Sequence, residues 1–220
     1  MFEAVLFDCD GVLVDSEPIT NGVLREMLNE AGWPLSQAEC ERIFIGKAVR
    51  DERARIEVET GRPLTEDWMR AFYARRDQRL RAELRAVEGA LQAVVAAHGH
   101  TSGRIACASG ADKAKVVMQI EMAGMAPYFG QAIFSGHDLP RSKPHPDVYL
   151  AAAAHLGVDP ARCLVIEDTG TGAMAGLAAG ATVWGYCPQG HGRAFQGLGL
   201  PRVFHHMDEL RASMAAPFPR

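Results

Sequence analysis

The feature that most constrains this chain is a set of short, uninterrupted apolar runs, most of which stop at a polar or acidic residue. The first is Ala4-Val5-Leu6-Phe7, which ends at Asp8. The later ones are Arg104-Ile105-Ala106-Cys107-Ala108-Ser109, Gln131-Ala132-Ile133-Phe134-Ser135, Cys163-Leu164-Val165-Ile166-Glu167-Asp168, Ala181-Thr182-Val183-Trp184 and Arg202-Val203-Phe204. Alternating hydrophobicity marks a strand with one wet face. Continuous hydrophobicity marks a strand covered on both faces, as in a parallel sheet between helices. Segments between these runs, roughly 88–98, 111–123, 147–156 and 171–179, read as helices. The last is rich in small residues from Gly172 to Gly180, which suits a helix lying close on a sheet and stopped by glycine. Strand alternating with helix predicts an α/β fold built on an open parallel sheet.

Residues 16–86 break the pattern. From Arg50 to Ala86, 18 of 37 residues are charged, 10 basic and 8 acidic, and Met69, Phe72, Tyr73 and Leu80 recur near helical spacing. Amphipathic helices are expected here, with the balanced charge on a solvated face rather than on a nucleic-acid surface. The expected division is therefore an α/β core from residues 1–15 and 87–220, with a helical insertion at 16–86. A length of 220 residues suits one such domain carrying an insertion.

Composition removes several classes. With 48% hydrophobic and 23% charged residues the chain can bury a core, and a net charge of −4 argues against a dedicated nucleic-acid binder. No apolar run reaches the ~18 residues of a membrane span. Met1-Phe2-Glu3 leads into a strand rather than a signal peptide. The five cysteines are scattered, without CxxC or zinc spacing, which predicts reduced thiols in a cytoplasmic protein. No nucleic-acid or membrane partner is expected, and the chain is expected to be a monomer or a weak homo-oligomer.

Ligands of open α/β sheets bind outside the carboxyl ends of the strands. The first strand delivers Asp8 and Asp10 to that edge, and the second delivers Ser109. A later connection carries Lys143, and the run after it ends in Glu167 and Asp168. Four carboxylates in one crevice repel one another, at about 4 kcal/mol per pair for ~4 Å and an effective dielectric near ~20. Either protons or a cation must relieve them. The donors are all oxygen, which favours a hard ion, and Mg²⁺ fits best. Phosphate chemistry follows, because a carboxylate can be a covalent nucleophile toward phosphorus. Lys143, one of four lysines against 19 arginines, and the Ser109 hydroxyl suit the oxygens of a transferring phosphoryl group. Ser109 could also cap the following helix, which is compatible with anion binding. Asp15 reads as a helix cap.

Asp8-Cys9-Asp10-Gly11-Val12-Leu13-Val14-Asp15-Ser16-Glu17, then Ser109, then Lys143-Pro144-His145-Pro146, then Ile166-Glu167-Asp168 with its Gly-rich helix, resemble the four motifs of the haloacid dehalogenase superfamily. The resemblance runs from residue 2 to about 187 and is nearest to the β-phosphoglucomutase-like branch, which also contains sugar-phosphate and 6-phosphogluconate phosphatases. Phe134-Ser135-Gly136-His137-Asp138, running into Lys143-Pro144, is similar to those phosphatases. The resemblance implies a Rossmann-like core with an α-helical cap at 16–86, hinged near Ser16 and Ala86–Gly89. It implies that Asp8 is the nucleophile and Asp10 the general acid and base. Ser109 and Lys143 would bind the phosphoryl group. Asp168 would ligate Mg²⁺ with Asp8 and the Asp10 backbone carbonyl, and Glu167 would ligate it or support the ligands. Gly46 and Lys47 would reach the substrate from the cap, with Gly110 and Thr20 completing the substrate-binding set.

The expected function is a Mg²⁺-dependent phosphatase of a small phosphorylated metabolite, a sugar phosphate or sugar-acid phosphate. The alternative is a sugar-phosphate mutase, weakened because Thr20 stands where the β-phosphoglucomutase cap carries a histidine. A 2-haloacid dehalogenase would need neither a metal nor Asp10. A phosphonatase would need a cap lysine, which only Lys47 could supply. A non-catalytic binding protein would usually have lost a motif residue.

Overall fold

The computed structural model describes residues 2–44, 49–188, 190 and 193–215. In chain order the principal elements are β1 (Ala4–Phe7), α1 (Glu17–Glu30), α2 (Gln37–Phe44), α3 (Arg53–Thr60), α4 (Glu66–Glu83), α5 (Ala90–His100), β2 (Ile105–Ser109), α6 (Lys113–Met122), α7 (Ala126–Phe129), β3 (Ile133–Ser135), α8 (Asp147–Leu156), β4 (Cys163–Glu167), α9 (Gly170–Ala178), β5 (Thr182–Tyr186), β6 (Arg202–Phe204) and α10 (Met207–Ala215). The chain divides into two compact units, Met1–Val14 with Ala86–Arg220, and Asp15–Arg85.

The first unit holds a six-stranded sheet in the order β3-β2-β1-β4-β5-β6, with every neighbouring pair parallel. This is the parallel α/β sheet expected from the continuous apolar runs, and every residue of β1, β2 and β4 is buried. The register pairs Phe7 with Ile166 on one side and with Cys107 on the other. The next residues of β1 and β4, Asp8 and Glu167, therefore leave the sheet side by side. Ser109 ends the strand on the other flank of β1.

Two helix boundaries shift from expectation for visible reasons. α6 starts at Lys113 rather than 111, because Asp112 is its N-cap and accepts from Lys115 N at 3.0 Å. Ser109 is thus not the cap of that helix. α5 starts at Ala90 rather than 88 because Val87 N donates to Leu13 O at 3.0 Å, which keeps the chain extended there. Asp15 is exposed, and the cap position of α1 falls on Ser16 instead.

The second unit is helical. Its core gathers Leu24, Met27 and Leu28 of α1 with Trp33, Ile43, Phe44, Ile56, Met69 and Phe72. Met69, Phe72, Arg76 and Leu80 make up the buried stripe of α4, at the three-to-four-residue spacing of one helix face. Thr65 caps α4 by accepting from Trp68 N at 3.2 Å. The dense charge of this stretch is mostly surface, but it is ordered: Arg75 and Arg79 of α4 pair with Glu30 and Glu26 of α1 at 2.9 and 2.7 Å. Arg76 is buried, with its guanidinium 4.7 Å from the Tyr73 ring and paired with Asp77.

Among the described residues no helix is long and apolar enough to cross a membrane, and no disulfide forms. Phe72 is 2% exposed and its ring lies 6.0 Å from Trp68 and 5.6 Å from Tyr73. Phe72→Ala should cost about 3–5 kcal/mol, the usual loss for a buried aromatic. Urea unfolding followed by far-UV circular dichroism checks this, and a loss below ~1 kcal/mol would remove Phe72 from the core of the unit.

Candidate active site

The acids and the lysine of the site converge in the first unit, at the carboxyl edge of the sheet. Asp8 follows β1 directly, and its backbone N–H donates to Ile166 O at 3.0 Å, so β4 fixes its position. The chain then turns through residues 9–14, where Leu13 N and Val14 N both donate to Cys9 O and Gly11 N donates to Val14 O. Gly11 adopts φ +79°, and a Cβ there would lie 2.0 Å from Asp168 Oδ2. Glycine is therefore what lets the Asp168 carboxylate lie against the turn.

Lys143 enters between two carboxylates. Its ammonium donates to Asp8 Oδ1 at 2.5 Å and to Glu167 Oε1 at 2.7 Å, and all three side chains are less than a tenth exposed. The Lys143–Pro144 peptide bond is cis. The ring of Tyr149, on α8, lies 4.9 Å from the ammonium, and its hydroxyl donates to Glu167 Oε1 at 2.8 Å. Glu167 Oε2 accepts from Asp168 N, Thr169 N and the Thr169 hydroxyl at 3.1, 3.1 and 3.0 Å. Thr169 in turn caps α9 by accepting from Gly172 N at 3.1 Å. A Cβ at Gly172 would fall 1.6 Å from Glu167 Oε1, so the first turn of α9 can approach the carboxylate only as glycine.

Burial pushes the Asp8 carboxyl up to about 7, against the pull of Lys143 and with a further push from Glu167 and Asp10. Burial also works against the Lys143 ammonium, but Asp8 and Glu167 outweigh it and hold it well above the usual lysine value. The neighbouring Cys107 side chain and burial together push the Cys9 thiol well above its usual range, so it stays protonated.

Asp8, Glu167 and Asp168 each present a carboxylate oxygen, all within 4.8 Å of one another. This all-oxygen set, with a single ammonium among three acids, fits a hard divalent cation better than a soft one. Asp10 lies beside this group but its carboxylate is held by α6. Lys115 Nζ and Gln119 Nε2 both donate to Asp10 Oδ1, at 2.7 and 3.0 Å.

Ser109 sits at the same sheet edge, 1% exposed, and its hydroxyl accepts from Ala111 N at 3.0 Å. Gly110 follows it, near Ser142. The geometry thus groups Asp8, Lys143, Glu167 and Asp168, with Asp10, Ser109 and Gly110 at the same edge. Thr20 lies on α1 of the helical unit; among the described residues its buried hydroxyl has no hydrogen-bond partner. Gly46 and Lys47 lie outside the described residues.

Four groups of the site escaped the reading of the sequence: Lys115, Gln119, Tyr149 and Thr169. Lys115 and Gln119 carry a usable signal, since they are polar residues four apart among the apolar positions of α6. Tyr149 is one tyrosine in an alanine-rich helix. Its hydroxyl needs a partner once buried.

The family model of the haloacid dehalogenase-like hydrolases matches residues 2–180. The chain is 31% identical over 214 residues to the 6-phosphogluconate phosphatase of Escherichia coli, covering 94% of this chain and 92% of that protein. Hexitol phosphatase B of the same organism is 30% identical over 80% of this chain and 79% of its own length. Among solved structures, a HAD family hydrolase from Deinococcus radiodurans with bound phosphate and sodium superposes with a TM-score of 0.77 at 35% identity, over 97% of this chain and 95% of that one. The chain belongs to the haloacid dehalogenase-like hydrolase family, with phosphatases among its relatives along nearly its whole length.

Proposed function

We propose that this chain is a Mg²⁺-dependent phosphomonoesterase that hydrolyses a small phosphorylated metabolite, a sugar phosphate or sugar-acid phosphate, through an aspartyl-phosphate intermediate. The observation that carries the reading is the Lys143 ammonium bridging Asp8 and Glu167 beside Asp168. It gives one nucleophilic carboxylate, one cationic group for phosphoryl oxygens and a set of acids able to hold a divalent ion. The names of the Escherichia coli relatives supply the substrate class, and the phosphate bound by the Deinococcus radiodurans relative is in keeping with it.

In this reading an Asp8 oxygen attacks phosphorus while the bond to the leaving oxygen breaks, and Asp10 gives that oxygen its proton. Asp10 then takes a proton from water as the water oxygen bonds to phosphorus. The bond to Asp8 breaks, so inorganic phosphate leaves and Asp8 is restored. Lys143, the Ser109 hydroxyl and the backbone of Gly110 bind the phosphoryl oxygens, where the transition state carries its charge. Asp8 and Asp168, with the backbone carbonyl of Asp10, would hold the metal ion, which when bound supplies positive charge to phosphoryl oxygens and to the crevice acids. Glu167 already accepts five hydrogen bonds, so its assigned role is to hold Lys143 rather than to ligate. Thr20, Gly46 and Lys47 are assigned to substrate choice.

The direct test is steady inorganic phosphate release across sugar phosphates, sugar-acid phosphates, phosphoglycolate and nucleotides with Mg²⁺. Asp8→Asn should lower the rate at least ~1000-fold while leaving the circular dichroism spectrum unchanged, and a chelator should abolish it. Parent-like turnover by Asp8→Asn would refute the mechanism. A product that keeps its phosphoryl group, with no net release, would point to the mutase.

A second expectation concerns pH. The Asp8 carboxyl rises from 3.8 to about 7 in the metal-free fold, so between those values the folded chain keeps a proton that the unfolded chain has lost. Stability must then fall as pH rises through this window. Asp8→Asn lacks the group, so the parent should lose a few kcal/mol relative to the variant between the bottom and the top of the window. Urea unfolding in chelator at several pH values reads the difference, and a difference flat with pH would contradict the burial of an ionising Asp8.

A further inference from the structure

We infer that Lys115 and Gln119 of α6 are positioning residues for the acid–base step: together they anchor the Asp10 carboxylate through one of its oxygens. The inference rests on the reading of Asp10 as acid and base in the proposed hydrolysis.

Lys115 is 6% exposed and Gln119 is fully buried, in a helix whose other buried residues are Val116, Met118 and Ile120. A buried lysine and a buried carboxamide each carry a large desolvation cost unless satisfied. Four residues apart, they project from the same face of α6. Both meet the same atom, Asp10 Oδ1, at 2.7 and 3.0 Å. Simple charge neutralisation would need the lysine alone. The second donor adds restraint, because two donors on one oxygen limit the carboxylate more than one does.

The glutamine is itself oriented. The Cys9 thiol donates to Gln119 Oε1 at 3.5 Å, so the carboxamide turns its nitrogen toward Asp10. Cys9 stands between Asp8 and Asp10 in the same turn, so the turn that carries the reacting carboxylates also sets the clamp that holds one of them. The Asp10 side chain keeps a fifth of its surface exposed, while that of Lys115 is nearly closed off. The anchored oxygen is Oδ1, which receives both donors. Held in this way, the carboxylate meets both steps without losing rotamer freedom at each turnover.

Three variants test the inference with the best substrate of the screen and with para-nitrophenyl phosphate, whose leaving group needs no proton. Lys115→Met should lower kcat on the metabolite ~10–100-fold, part of what a general acid and base contributes, with KM within ~3-fold of the parent. With para-nitrophenyl phosphate the first rapid release of nitrophenolate should survive, because transfer to Asp8 does not need Asp10, while steady turnover slows. Lys115→Arg should recover most of the loss. Gln119→Leu should show the same split with a smaller loss, ~3–10-fold.

Parent-like kcat in Lys115→Met overturns the inference. So does a burst lost in proportion to turnover, which would mean a collapsed site, or an arginine variant no better than methionine. If Lys115→Met does not fold, Gln119→Leu and Lys115→Arg decide: the burst–turnover split in the first and near-parent rates in the second uphold the clamp, and parent-like kinetics in Gln119→Leu overturn it. A parent that releases no phosphate from any compound sinks the functional reading and this inference with it. Variants that match an active parent sink only the inference.

Discussion

Lys143 places a single positive charge 2.5 Å from Asp8 and 2.7 Å from Glu167, where all three groups are nearly closed to water. Removing it would leave both carboxylates without their shared donor, and uncovering one member of a buried ion pair typically costs about 3–5 kcal/mol. The ammonium is itself tolerable only because two acids and the face of Tyr149 surround it. Each member therefore presupposes the others, and much of the surrounding edge serves to keep them together. One ammonium against Asp8, Glu167 and Asp168 still leaves the group short of positive charge, which is the electrostatic reason it suits a cation.

The backbone makes this convergence possible. The parallel register sets Asp8 and Glu167 at adjacent strand ends although they are far apart in the chain. Gly11 and Gly172 then remove the two Cβ atoms that would occupy the positions of the Asp168 and Glu167 carboxylates. Packing and electrostatics meet at these glycines, since an added methyl would displace a charge rather than merely crowd an apolar neighbour.

Much of this was legible in the chain. The apolar runs announced covered strands because a strand buried on both faces has no polar alternation to hide behind, and β1, β2 and β4 are buried along their whole length. Asp8, Asp10, Glu167 and Asp168 stood out because charge at the end of an apolar run is visible locally, and Lys143 because it is one of only four lysines. What was not legible depends on distance in the chain. Lys115 meets Asp10 across 105 residues and Tyr149 meets Glu167 from a separate helix, contacts that no local pattern encodes. The Ser109 cap was misread because Asp112, three residues on, is the better placed acceptor for the first turn of α6. The charge of residues 50–86 was rightly taken for helix surface, but periodicity alone could not single out Arg76 as the arginine turned inward.

Glu167 carries one more consequence. Its Oε1 faces two donors, Lys143 and Tyr149, and its Oε2 faces three, from Asp168 and Thr169. A glutamine is nearly the same size and shape, yet its amide must point an NH₂ at one of these clusters. Whichever way it turns, hydrogens would confront hydrogens. The position is therefore defined by polarity of hydrogen bonding before volume or even charge is considered, and an isosteric exchange that is mild on a protein surface becomes a severe one here.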